Sequence, residues 1–493
     1  MTREKFRCHP SIIIENLGAA FIGLVLVMIN GFAGIGSVLS GIESIPAKGV
    51  IISFVGGFLI LGGIVFWQYK IWYKTLISIT DGTIEIERNT INRKHKSYGI
   101  KNISNVNLEQ NIFEQILRTY KIKIDTDSLS TSNATDIKIV LGKDKALAFK
   151  AEVMKLVAQN KNITEEDEQE MQYATTKDYD ISYSVKDIIM HSLYALPLSS
   201  ILSVALLVGV ALVFFGAIDT DENIMEIVVK SFGGMLALFL ALSTSAARGV
   251  LSFLTFFNFR AKRFKNKLII SQGLIKKRTY EIPIDRINAI KIIEPAISRV
   301  FNKQSIELVN VGAGDEKDEG AFLLLSKTKE DIDKFMEILL PEFVTNTDEN
   351  LEKQPKAARM IILIRQLVYI VPLTIALITA IMLKEYTHLA LYIPVLVYTV
   401  LMAFFMFSAL IQFKTAGVNV GNDYIAIASG TYKKVTKLIK YDKIQYLRAN
   451  QSPLERLKNL QRYKLFILAN SVNNVNVTGI FHKDKFNDIY ERM

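Results

Sequence analysis

Ile100-Lys-Asn-Ile103-Ser-Asn-Val106, Ile284-Asp-Arg-Ile287-Asn-Ala-Ile290 and Tyr441-Asp-Lys-Ile444-Gln-Tyr-Leu447 are three versions of one heptapeptide. The second lies 184 residues after the first, and the third a further 157 along. The correspondence continues without gaps through Ile116-Leu117, Val300-Phe301 and Leu457. It then takes in Ile122-Lys-Ile124, Ile306-Glu-Leu308 and Tyr463-Lys-Leu465. Apolar residues hold register while polar ones drift, as expected when a fold is repeated and its surface is free to change. Each copy follows a pair of long apolar segments, so the repeating unit is an apolar pair and then a polar, strand-rich module.

A chain of 493 residues has room for three or four domains. Half of it is hydrophobic, more than an ordinary soluble protein carries, yet 22% charged residues leave substantial water-facing parts. Cys8 is the single cysteine, which rules out an intramolecular disulfide. It reads as an incidental small apolar residue rather than a palmitoylation or redox site.

Apolar segments near 14–39, 48–69, 192–217, 226–255, 362–384 and 387–411 each supply the roughly 20 helical residues that cross a hydrocarbon core. The connection within each pair is short, which predicts three helical hairpins. The first segment is too long for a cleaved signal peptide, lacks a small-x-small cleavage site and has a partner helix. Lysines and arginines set the orientation. Arg3, Lys5 and Arg7 precede the first span, Lys70 and Lys74 follow the second, and Arg260, Lys262, Arg263, Lys265 and Lys267 follow the fourth. Lys353, Lys356 and Arg359 precede the fifth, and Lys414 follows the sixth. The hairpin tips are poorer in positive charge, so both termini and all three modules are expected in the cytoplasm.

The resulting division is a hairpin at 1–69, a module at 70–158, an acidic linker at 159–190 and a second hairpin at 191–255. A second module at 256–342, a linker at 343–360, a third hairpin at 361–411 and a third module at 412–493 complete it. Strand-like alternation runs through Leu76-Ile-Ser-Ile-Thr and Thr83-Ile-Glu-Ile-Glu, through Leu268-Ile-Ile-Ser and Thr279-Tyr-Glu-Ile-Pro-Ile, and through Ile425-Ala-Ile and Val435-Thr-Lys-Leu-Ile-Lys-Tyr. Turn residues punctuate these runs at Asp81-Gly82, Gln272-Gly273 and Ser429-Gly430. A helical period closes the first two modules, at 146–157 and 329–343, and the third has only a short tail left. The fold class expected is a membrane α+β protein: six transmembrane helices in three hairpins, each followed by a small β-barrel or sandwich with a C-terminal helix.

The run Asp442-Lys-Ile-Gln-Tyr-Leu-Arg-Ala-Asn-Gln-Ser-Pro-Leu-Glu-Arg-Leu, after a strand-turn-strand, resembles the signature of bacterial pleckstrin-homology (PH) domains of the YdbS type. The second copy keeps the corner as Glu294-Pro-Ala-Ile-Ser-Arg-Val. The first departs most, with Gln110-Asn-Ile-Phe-Glu-Gln-Ile and no proline. Three hairpin-plus-PH units are similar to YdbT-like membrane proteins. The resemblance covers nearly the whole chain and implies a PH-like fold in a multi-pass protein of a bacterial cell membrane. It also makes a shorter, single-module YdbS-like sibling a natural partner, and envelope maintenance or defence a setting. It implies no reaction, because function resides in sites rather than folds.

No catalytic constellation emerges. His9, His95, His191, His388 and His482 are scattered without metal-ligand spacing, and no phosphate-binding or nucleophile motif appears. Gly31, Gly34 and Gly36 lie within an apolar span, where small residues let helices approach. The acidic stretch 312–320 lacks the ligand spacing of an EF-hand. No enzyme and no cofactor are expected.

Charges inside the spans would mark a transport path. Lys230 and Arg365 sit near helix ends and can snorkel to the interface, whereas Arg248 is either a buried functional arginine or the true cytoplasmic end of the fourth helix. The strongest lead is the basic stripe Arg260, Lys262, Arg263, Lys265 and Lys267, flanked by Phe253, Phe256, Phe257, Phe259 and Phe264. It would draw anionic phospholipid at the inner leaflet, or else it merely fixes topology. Lys276-Lys-Arg278 and Lys433-Lys-x-x-Lys437-x-x-Lys440 recur in corresponding places and extend that surface toward lipid or an acidic partner. The net charge of +11 comes without any DNA or RNA motif, so no nucleic acid is expected. Two functions remain: a non-catalytic scaffold that presents three tethered modules to membrane-protein partners or inner-leaflet lipid, and a transporter or lipid-handling protein using the six helices as a path.

Overall fold

A computed structural model describes residues 5–17, 47–80, 82–126, 137–160, 179–198, 204, 224–310, 321–343, 351–382, 392–421, 423–469, 475–486 and 489. The chain divides into two compact units. The first comprises Met1–Thr131, Thr135–Thr176 and Lys276–Thr279; the second comprises Ser132–Ala134, Lys177–Ile275 and Tyr280–Met493.

In the first unit β1 (Thr75–Thr80), β2 (Thr83–Arg88) and β3 (Lys94–Gly99) form one antiparallel meander, and β4 (Ile103–Gln110), β5 (Thr119–Thr126) and β6 (Ile137–Gly142) form another. Period-two alternation sends Ile77 and Ile84 from the first meander inward against Ile103, Val106, Ile122, Ile124, Ile137 and Ile139 from the second. The helix Lys143–Asn160 covers this core with Ala146, Phe149 and Val153, which a helical period brings to one face. The expected sandwich with a closing helix is what these residues build.

β7 (Ile181–Ser182), β8 (Arg260–Phe264), β9 (Lys267–Gln272) and β10 (Lys277–Pro283) begin the second module, in the second unit except for Lys277–Thr279 of β10. Its other half is β11 (Ile287–Glu294), β12 (Gln304–Asn310), β13 (Ala321–Lys327) and the helix Lys329–Leu339. The third module contains β14 (Glu352–Lys353), β15 (Gly417–Val420), β16 (Tyr424–Ser429) and β17 (Lys434–Lys440). It continues with β18 (Ile444–Asn450), β19 (Leu460–Ile467), β20 (Val475–Val477) and β21 (Phe481–His482).

The second and third modules are fused. β11 pairs with β17 over six positions, from Ala289↔Ile439 to Glu294↔Lys434, giving one seven-stranded sheet in the order β13-β12-β11-β17-β16-β15-β14. Alternation sorts its two faces. Ile290, Leu438 and Ala426 enter the core of the second module, while Ala289, Ile439, Ile425 and Ile427 enter that of the third. A sheet buried on both faces needs nearly continuous apolar runs, and the Ile-Asn-Ala-Ile-Lys-Ile-Ile sequence of β11 supplies one.

A second recurrence pins the hairpins. Phe6 bridges to Ile77, Ile181 pairs with Ala261, and Glu352 pairs with Val418. The strand-side partners Ile77, Ala261 and Val418 are equivalent under the two repeat offsets, so chain from before each apolar pair joins the first strand after it. Ile181-Ser182 and Glu352-Lys353 fall in stretches that composition marks as linker, yet both are strands because they complete a sheet edge. The turn signals also sort differently from the reading above. Gly82 joins a first strand to a second, whereas Gly273 and Gly430 join a second to a third. At Gly430, with φ of +115°, an added Cβ would lie 2.0 Å from the Lys433 carbonyl oxygen, so only glycine fits.

Two described helices, Lys356–Met382 and Pro394–Thr415, are long and apolar enough to cross a membrane. The expected spans at 48–69 and 226–255 lie within the helices Ala47–Tyr73 and Ile224–Phe256. Those at 14–39 and 192–217 fall mostly outside the described residues, as do the acidic stretch 312–320, residues 161–178 of the first linker and residues 344–350 of the second.

Candidate functional site

The five basic residues of the stripe lie on β8, on the following turn and at the start of β9, and strand geometry divides them. Ala261 points into the core and Arg263 follows it on that side. The Arg263 guanidinium grips Glu342 in a fork at 2.9 and 2.7 Å and donates to the Leu339 carbonyl at 3.2 Å. It therefore caps the C-terminal end of the helix Lys329–Leu339, where a cation is favoured. Glu342 is held below the usual carboxylate range by this bond. Arg260 is exposed, donates to Asn258 at 3.0 Å and lies 5.6 Å from the Tyr179 ring centroid. Lys262, Lys265 and Lys267 complete the set, with the Lys265 ammonium 5.8 Å from the Phe264 ring centroid.

The aromatic part of the stripe faces the other way. Phe259 is fully buried, and Phe253 and Phe256 pack against the core of the second module. Arg248 is exposed on a helix that runs on to Phe256, so it does not mark the helix end.

Four residues of the further basic runs, Lys276, Arg278, Lys434 and Lys437, find partners inside the fold. Lys434 meets Glu294 at 3.1 Å across the β11–β17 pairing. Lys437 is half-buried, with its ammonium 2.5 Å from Asn476 Oδ1, and desolvation together with the neighbouring Lys291 lowers its pKa to about 8. In the first unit Lys276 and Arg278 reach Glu109 at 3.8 and 3.5 Å. Part of this recurrence reflects a recurring strand joint, in which Lys277 and Lys434 take equivalent places, while Lys277 and Lys433 are exposed.

Each module turns the corner after its fourth strand with a five-residue helix, at Ile112–Ile116, Ala296–Val300 and Pro453–Leu457. Asn111 with Glu114, and Ser452 with Glu455, form complete capping boxes there. Arg118, Asn302 and Asn459 then take the same left-handed turn, with φ of 52°, 50° and 52°. The two glutamates are buried and paired: Glu114 with Lys121 at 3.6 Å, and Glu455 with Arg462 at 3.1 Å and Arg365 at 2.6 Å. The second module has Ser298 and Ser305 in place of the ion pair. Arg365, expected to snorkel, is instead tied to the third module.

A cleft of about 540 Å³ lies in the second unit, lined by His191, Pro197, Pro295, Phe322, Tyr432 and Lys433 among others. The Ser326 amide and hydroxyl lie 3.3 and 2.9 Å from His191 Nδ1. His191 Nε2 is buried without a hydrogen-bond partner among the described residues. The ring meets Phe256 edge-on at 4.8 Å. Apolar walls with one imidazole and one ammonium suit an alkyl chain with a polar end. Burial pushes the His191 pKa down to about 4, so the folded state holds it neutral. The unfolded chain takes up a proton below pH ~6.5, and folded stability should therefore fall between ~6.5 and ~4 by up to about 3 kcal/mol. Melting curves of the protein and of a His191→Gln variant in that window measure the difference; parallel curves would refute a buried neutral imidazole.

Composition and spacing missed the paired Glu455 and this cleft, because both are assembled from residues far apart in the chain. The capping pattern Ser452-x-x-Glu455 was the one local signal for the first of them.

Comparison with known proteins agrees with the repeat. The family described as Bacterial PH domain matches residues 20–157, 201–339 and 367–489. The chain is similar to the UPF0699 transmembrane protein YdbT of Bacillus subtilis (strain 168), with 23% identity over 495 residues that cover 96% of this chain and 93% of that protein. No solved structure gives a significant match. Three matched segments, each with two β-meanders around an apolar core, place the chain in the bacterial PH domain family, among its YdbT-like transmembrane members.

Proposed function

We propose that the protein is a non-catalytic, multi-pass scaffold of the bacterial cell membrane. Its termini and PH-like modules face the cytoplasm and receive membrane-protein partners or inner-leaflet lipid, in envelope maintenance or defence. The observation that supports this best is the sheet shared by the second and third modules. Modules that merely tethered separate ligands would gain from flexible linkers; a common sheet fixes two of them in one orientation and makes a preorganised platform. A shorter single-module relative is the partner this reading favours.

Arg260, Lys262, Lys265 and Lys267 are the residues for anionic phospholipid, with Arg263 serving the fold through Glu342. The cleft beside His191 favours lipid handling as the second reading.

Crosslinking the full-length protein in its native membrane, followed by gentle purification and mass spectrometry, tests both. A stoichiometric membrane protein is the expected companion; recovery of the chain alone with tightly held lipid would replace the scaffold by the lipid-handling reading. In the same preparations, glutamine at Arg260, Lys262, Lys265 and Lys267 should cut co-purified anionic lipid at least roughly fivefold, the effect of losing about 1 kcal/mol of headgroup attraction.

A further inference from the structure

β18 is the repeat equivalent of β11, yet the two strands have different surroundings. β11 is hydrogen-bonded on both sides, to β12 and to β17. β18 ends its sheet and, among the described residues, pairs only with β19. Asn288, Ala289 and Lys291 are buried, whereas their counterparts Gln445, Tyr446 and Arg448 are exposed. Tyr446 is 51% exposed and stacks on Phe466 at 4.0 Å. Exposed strand edges are ready templates for another strand, and proteins generally blunt or cover them.

The joint that fills the equivalent edge recurs in this chain in one register. In the second unit Glu294, Ile293 and Ile292 face Lys434, Val435 and Thr436. In the first unit Gln110, Glu109 and Leu108 face Lys277, Arg278 and Thr279. The repeat offsets carry one set onto the other residue for residue. On β18 they lead to Gln451, Asn450 and Ala449, and Gln451 donates to the Leu460 carbonyl at 2.9 Å as Gln110 does to that of Thr119.

Charge then selects the occupant. In the β11 joint one cross-strand row is Lys437, Lys291 and Glu307, where Glu307 meets Lys291 at 2.5 Å. The corresponding row on β18 and β19 is an incoming residue, Arg448 and Lys464. A second copy of this chain would bring Lys96 of β3 to that place, making three cations in a row, which is destabilising. An acidic incoming residue restores the charge sum of the internal joint.

We propose that the outer edge of β18 is a docking strand for a PH-like module of a different chain, which adds its third strand there with a carboxylate opposite Arg448. This rests on the scaffold reading and names its contact. It is β-strand addition, in which main-chain bonds give affinity and alternate side chains give specificity.

The test replaces Tyr446 by p-benzoylphenylalanine in the full-length protein, irradiates native membranes and maps the crosslinked peptide. The expected adduct is a peptide from the third strand of a PH-like module on another chain. Arg448→Glu should reduce its yield at least roughly tenfold by setting like charges opposite each other, and Arg448→Lys should retain it. An adduct with a second copy of this chain, an adduct with lipid only, or no adduct would each overturn the proposal. If general crosslinking still recovers a stoichiometric membrane protein while the Tyr446 probe does not, the edge is wrong and the scaffold stands; if neither recovers one, both fall.

Discussion

Replacing Glu455 by alanine is expected to destabilise the third module by about 3–5 kcal/mol, because it leaves two arginines facing each other with no counter-charge. The Glu455 side chain is completely buried; Arg365 donates to its Oε1 at 2.6 Å, and Arg462 forms an ion pair with the same oxygen at 3.1 Å. Its other oxygen accepts from the Ser452 amide at 2.7 Å, closing the capping box of the corner helix. Burial alone would raise this carboxyl, but the Ser452 bonds and the two arginines leave it below its ordinary value. Its stabilising contribution is therefore complete near neutral pH and is lost as the pH falls through its folded-state pKa. Urea or thermal unfolding of the full-length protein measures the cost. The second module provides the comparison, since Ser298 and Ser305 replace the pair there. A Glu455→Ser, Arg462→Ser double variant should thus lose less than Glu455→Ala, because one buried charge is removed along with its partner. A single variant milder than the double would show that the ion pair is dispensable.

Leu438→Pro is expected to weaken the second and third modules together. Leu438 lies on a central strand, opposite Ile290 on one side and Ala426 on the other. Proline there removes a ladder hydrogen bond and leaves its buried partner unsatisfied, an effect of about 1–3 kcal/mol. Although Leu438 belongs to the third module by sequence, its side chain sits in the core of the second. Hydrogen exchange should therefore speed up in β12 and β13 as well as in β15 and β16. Faster exchange confined to residues 417–486 would mean that the shared sheet does not couple the two modules.

Much of this architecture is legible in the residues themselves. Ile77, Ile122, Ile306 and Leu465 occupy buried, register-keeping positions because a half-buried strand imposes a period of two, and that period is visible without a structure. The capped corners at Asn111 and Ser452 are equally local. By composition β8 looks like a juxtamembrane stripe, because Arg260, Lys262 and Arg263 outweigh Ala261. The pleat nevertheless turns Ala261 inward, and Glu342 meets Arg263. The same bias hid the strands at Ile181 and Glu352, whose pairing partners lie 80 and 66 residues away.

By itself the sequence determined the threefold repeat, the apolar segments, the alternating strands and the PH-like family, since these depend on interactions within or between neighbouring segments. Only the tertiary structure decided that the second and third modules share a sheet, that Lys276, Arg278, Lys434 and Lys437 of the basic runs meet carboxylates or an amide, and that Arg365 meets Glu455. Those outcomes depend on which strand edges remain open once each module has folded, and on which buried charges then find partners. Both are settled by three-dimensional proximity, which a one-dimensional pattern does not encode.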